Sequence, residues 1–108
     1  MSLSNKSYEE LEKASTEWSV AHGKVIILNE GLKATFSKLF LKHKLDSKTN
    51  LEAEHKARTD EDYKKIVDVY AEAETNLVKC RYHYNNLDKY VSLKQSELKR
   101  DLALNNKV

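Results

Sequence analysis

The sequence predicts an all-α protein: a long antiparallel helical hairpin of coiled-coil type, assembling as a homodimeric helical bundle. Three observations predict it. Tyr63, Tyr70, Leu77, Tyr84, Val91 and Leu98 recur every seven residues, with Ile66, Ala73, Cys80 and Leu87 at the alternate positions. That is the a/d spacing of a helix burying one narrow stripe against another helix. The same register runs through Leu11, Trp18, Val25, Leu32 and Leu39, with Ala14, Ala21, Leu28 and Thr35 between them. Finally, the 108 residues include no proline and only two glycines, so nothing obliges either helix to break.

The first helix is expected over about 5–43. Ser4 or Ser7 would cap it, Ser7 and Glu10 forming a capping box, and Glu9, Glu10 and Glu12 would set negative charge at its positive end. Gly23 and Gly31 fall off the a and d positions and weaken it by about 1 kcal/mol each relative to alanine. Gly23 is read as a tolerated position, with local bending or close approach of another backbone as the alternative. Ile26, Phe36 and Phe40 widen the apolar face beyond a two-helix seam, which asks for a bundle or a partner chain.

The pattern fails over Lys44-Leu45-Asp46-Ser47-Lys48-Thr49-Asn50, where short polar side chains compete for backbone bonds, and the turn is placed at about 44–50. Ser47, Thr49 or Asn50 could start the next helix. From there two readings stay open. One helix runs over about 51–104, kinked if at all near 59, or a short piece at 50–58 precedes a helix from 60, capped by Thr59 and led by Asp60-Glu61-Asp62. The first is preferred, because Leu51 to Arg58 are good helix formers. Asn105-Asn106 would end the last helix. The whole of 1–108 is taken as one hairpin domain.

A fold near residue 47 pairs the first helix with residues 50 to about 90. Val91, Leu98 and Leu102 then continue the stripe into an uncovered overhang. Exposed apolar surface is unfavourable by about 25 cal/mol per Å², and a lone hairpin has a meagre core. Both points favour a homo-oligomer, most simply a two-fold dimer. The seam assigned to packing and assembly is Leu11, Trp18, Val25, Leu28, Leu32, Leu39, Tyr63, Ile66, Tyr70, Leu77, Tyr84, Leu87, Val91, Leu98 and Leu102. Lys94 and Asp101 occupy d positions near its end, as a register-setting device or a frayed terminus.

Chemistry is sparse. The single cysteine excludes an internal disulfide and a cysteine-rich metal site, and fits a reducing, cytoplasmic setting. No leader is apparent, and the longest apolar run, Val25 to Leu28, is far too short to cross a bilayer. His22, His43, His55 and His83 are spread over the chain with no His-x-x-x-His pair among them, although His43 and His55 could approach around the turn, and they are read as surface histidines. Cys80 sits in the seam as a small apolar residue. With no phosphate-cradling glycine loop either, the expectation is a protein that is not an enzyme and needs no cofactor, metal, membrane or small-molecule substrate, acting on itself and on a protein partner.

Charge is segregated despite a net of only +2. Residues 33–48 carry five lysines against one acid, 52–74 carry eight acids against four basic residues, and 79–107 carry seven basic residues against three acids. Solvated faces and interhelical pairs explain this by default. Off the seam, Tyr82 and Tyr90 could pack in a broader bundle, which is preferred. Alternatively, with Arg81, Lys89, Lys94, Lys99 and Arg100, they form a basic-aromatic surface for nucleic acid.

Along the second helix, Lys56-Ala57-Arg58-Thr59, Tyr63, Ala71 and Ala73, Lys79-x-Arg81-Tyr82, Asn86-Leu87, Lys94-Gln95-Ser96 and Lys99-Arg100 make a loose motif over about half the chain. Here the sequence resembles a group of small phage-encoded helical proteins found among phage early and recombination genes, with no settled activity. The resemblance implies a phage origin, a host-cytoplasmic setting and an accessory role in DNA metabolism. Small secreted hairpins with a Trp-x-Gly turn are rejected as a match: Tyr84 and Asp88 fit their C-terminal signal, but Trp18 is mid-helix and followed by Ser19-Val20, so the defining turn is absent.

Overall fold

The structure, a computed structural model, describes residues 5–106. These residues form three helices, α1 (Asn5–Lys44), α2 (Asn50–Thr59) and α3 (Glu61–Asn106), with no strand among them. Ser7 lies inside α1 rather than ahead of it, and no acid falls in the first turn, so the expected capping box is not the start of this helix. Ser4, the other expected cap, lies outside the described residues.

The turn is built as its composition suggests. His43 C=O accepts from the Asp46 N–H at 3.1 Å and from the Ser47 hydroxyl at 2.6 Å. Lys44 Nζ donates to the side-chain oxygen of Asn50. Thr49 is the cap of α2, its hydroxyl accepting from the Glu52 N–H at 3.1 Å, while the Glu52 carboxylate reaches back to the Lys48 N–H at 3.0 Å. The first bond satisfies an orphan donor of the helix end, and the second ties the residue before the cap to the first turn.

The second helical stretch is not continuous, which corrects the preferred reading. The chain leaves the helix at one residue, Asp60, whose φ of −66° is ordinary but whose ψ of 137° is extended. Asp60 closes α2 through its N–H to Ala57 C=O at 3.3 Å and opens α3 by accepting from the Asp62 N–H at 2.9 Å. The α3 cap is therefore Asp60, not Thr59, whose hydroxyl instead bonds back to His55 C=O at 3.0 Å.

Packing divides into two compact units, Ala21–Leu77 and Met1–Val20 with Val78–Val108. In the first, α1 and α3 run antiparallel. Phe36 and Tyr63 meet edge to face at 5.8 Å, and the Ile66 Cδ1 methyl sits opposite Gly31. Here α2 is a third helix. Its Ala53 and Ala57, four residues apart and so on one face, are both 0% exposed. Arg58 lies over the Phe36 ring at 5.6 Å. The breadth of the α1 apolar face near Phe36 is thus met by α2. In the other unit α1 and α3 are again antiparallel, with Trp18 against Tyr84 at 5.2 Å between centroids and Gln95 donating to the Tyr8 hydroxyl at 3.1 Å.

The break at Asp60 also corrects the overhang. Because α2 packs as a separate helix, the long antiparallel partner of α1 is α3, and the N-terminal part of α1 reaches Gln95 rather than stopping near residue 90. Val91 is 5% exposed and Leu98 half-buried, while Leu102 is 61% exposed. Along the seam stripe of α3, Leu102 is the exposed residue.

Candidate interaction surfaces

The seam positions have a common fate. Leu39 and Val91 are buried, and Leu11, Trp18, Val25, Leu28, Leu32, Tyr63, Ile66, Tyr70, Leu77, Tyr84, Leu87 and Leu98 are half-buried, leaving Leu102 as the exposed member. Within each unit this stripe is occupied by the chain's own helices. Tyr70 keeps its hydroxyl at the rim beside Glu74, whose carboxylate holds the phenol above its ordinary pKa by accepting its proton in a hydrogen bond. Of the polar d positions, Asp101 is exposed. Lys94 is half-buried, pairs with Glu97 at 3.3 Å and lies over the Tyr90 ring at 5.7 Å.

The basic-aromatic residues are brought to the surface but not to one face. Arg81, Tyr82, Lys89, Tyr90, Lys99 and Arg100 are all exposed. Neither Tyr82 nor Tyr90 packs into a broader bundle. Each lies against a cation of its own helix, Arg81 at 5.8 Å and Lys94 at 5.7 Å. At about 100° of rotation per residue, the eight positions between the two tyrosines turn them about 80° apart. Tyr82, Lys89 and Arg100 share one direction, Arg81 and Lys99 a second, Tyr90 and Lys94 a third.

The most connected polar cluster lies where α1, the turn and α3 meet. His43 Nε2 donates to Asp60 Oδ2 at 2.8 Å, with both side chains mostly covered. That bond, the Asp62 N–H and the nearby Lys42 charge hold the Asp60 carboxyl below its ordinary pKa. Glu52 is lowered as well, first by the Lys48 N–H and then by Lys56, whose Nζ sits 3.3 Å from it and 3.1 Å from Asp46 C=O. His43 therefore turns to Asp60, while His55 is exposed on α2 beside Leu51 and Arg58. These contacts tie chain segments together. Among the described residues no three His, Cys, Asp or Glu side chains gather as a metal site. A shallow groove of about 360 Å³ lies beside Phe36, lined by Leu32, Lys33, Ser37, Arg58 and Tyr63.

A second apolar stripe on α1 was not foreseen. Ile27 and Leu41 are exposed, as are Leu45 in the turn and Leu51 on α2, and Ile26, expected to widen the packed face, is exposed too. Ile27, Ala34 and Leu41 are seven residues apart, but at c positions, where the small Ala34 dilutes the signal.

By class this is an all-helical protein, and no described helix is long and apolar enough to cross a membrane. No protein family, curated protein or solved structure matches the chain, so the likeness to phage-encoded helical proteins rests on its sequence motifs alone.

Proposed function

We propose that this protein is a non-enzymatic helical interaction protein that associates with itself, most simply as a dimer, and presents the assembled surface to a protein partner. The observation that carries this is the thinness of its own core. Of the seven buried apolar residues among those described, five are alanines, and no large side chain is fully buried. Ile26, Ile27, Leu41, Leu93, Leu102 and Leu104 meanwhile stand in solvent. The dispersal of the basic and aromatic side chains around α3 gives less support to nucleic-acid binding.

Sedimentation velocity at micromolar concentration tests the reading. A dimer or higher oligomer is expected, and a well-folded monomer throughout that range overturns it.

A further inference from the structure

We propose that a second copy of this chain docks antiparallel on the outward face of α1 within the Ala21–Leu77 unit, with the two-fold axis at Ala34. This rests on the self-association proposed above and names the surface that mediates it.

The face is defined by register. At about 100° per residue, Ile27, Ala34 and Leu41 point within about 20° of one direction, and Glu30 and Lys38 stand about 40° to either side. The seam residues Leu28, Leu32 and Leu39 point about 120–160° away, so the stripe is separate from the surface that α1 turns toward α3. Ile27 is 72% and Leu41 67% exposed, and Glu30, Ala34 and Lys38 are exposed too.

Symmetry then selects the occupant. In a two-fold pair, residues equally distant on either side of the axis face each other. Ile27 and Leu41 lie seven residues on either side of Ala34, and Glu30 and Lys38 lie four. A two-fold axis at Ala34 therefore sets each Ile27 against a Leu41 and each Glu30 against a Lys38. The small Ala34 meets its own copy where the helices cross most closely. A parallel pair in register would oppose Glu30 with Glu30 and Lys38 with Lys38, which like-charge repulsion disfavours. Glu30 already holds Lys33 of its own helix at 3.4 Å through Oε1, at the surface, leaving Oε2 for the second copy's Lys38.

The test uses the full chain with Cys80→Ser. Adding Ala34→Cys should give a disulfide-linked dimer on mild oxidation, because only side chains whose Cβ atoms come within about 3.5–4.5 Å can bridge. Ser92→Cys, in the other unit, should stay uncrosslinked. In parallel, Glu30→Lys and Lys38→Glu should each weaken dimerisation about tenfold, a change of about 1.4 kcal/mol. The double exchange should return it to within about threefold of the starting protein, since it restores opposite charges across the axis. Helicity by circular dichroism confirms that each variant is folded. A monomeric starting protein overturns both this assignment and the self-association beneath it. A dimeric protein with neither the Ala34 crosslink nor the charge-exchange rescue overturns this face and leaves self-association standing.

Discussion

Replacing Gly23 and Gly31 with alanine should stabilise the protein, and the size of the gain follows from the structure. Both glycines lie inside α1 with no positive φ, so nothing in the backbone calls for glycine. A Cβ built on Gly23 meets nothing within 4 Å, and one on Gly31 meets only Ile66 Cδ1 at 3.6 Å, ordinary van der Waals contact. The native state therefore accepts the methyl without strain, while the unfolded chain loses conformational freedom. Each substitution should add about 1 kcal/mol. Eight residues separate the sites, about 12 Å along the helix, so the effects should add, giving about 2 kcal/mol for the pair. For a chain of this length each should raise Tm by about 4 °C. Thermal melting followed by circular dichroism at one fixed protein concentration measures this, since association makes Tm concentration-dependent. A fall in Tm for Gly23→Ala would refute the reasoning, because it would mean that another backbone occupies the space beside that glycine.

Other outcomes follow from the same contacts. Leu77→Asp puts a charge into the half-buried seam and should cost several kcal/mol, seen as a large drop in urea midpoint; an unchanged midpoint would contradict the register. Tyr84→Ala removes the ring 5.2 Å from Trp18 and should both cost about 2–4 kcal/mol and shift the tryptophan emission to the red. The pH dependence should carry the signature of Asp60. Its folded pKa lies below the ordinary value of 3.8, so its contribution is present above that value and fades as pH falls through the depressed one. Asp60→Asn should lower the urea midpoint at pH 5 and flatten its decline toward pH 3, whereas identical declines for both proteins would remove Asp60 from the account.

What was legible in the sequence was whatever repeats. Leu11, Trp18, Val25, Leu32 and Leu39 announced α1, and the polar run after Lys44 announced the turn, because burial imposes a period and turn chemistry imposes composition. The break at Asp60 was legible only as an alternative. Leu51 to Arg58 have good helical propensity, and the interruption is one torsion whose stabilising partner, His43, is 17 residues away. Propensity is local and cannot weigh such a contact. Phe36 was correctly seen to need more than one neighbour, but the neighbour supplied is the α2 residue Arg58 with Tyr63, where a second chain had been one of the options. The outward stripe escaped because exposed c positions are polar by default and Ala34 hides the continuity between Ile27 and Leu41.

The alanine-rich interior has a calorimetric consequence. The heat capacity of unfolding grows with the apolar surface uncovered, at about 0.45 cal/K/mol per Å². Ala14, Ala21, Ala53, Ala57 and Ala73 have little to uncover. The single chain should therefore unfold with less than the about 12–15 cal/mol/K per residue of ordinary globular proteins. Its free energy should trace a shallow dome against temperature, changing little on cooling, and whatever steeper curvature the protein shows would come from surface covered when chains associate.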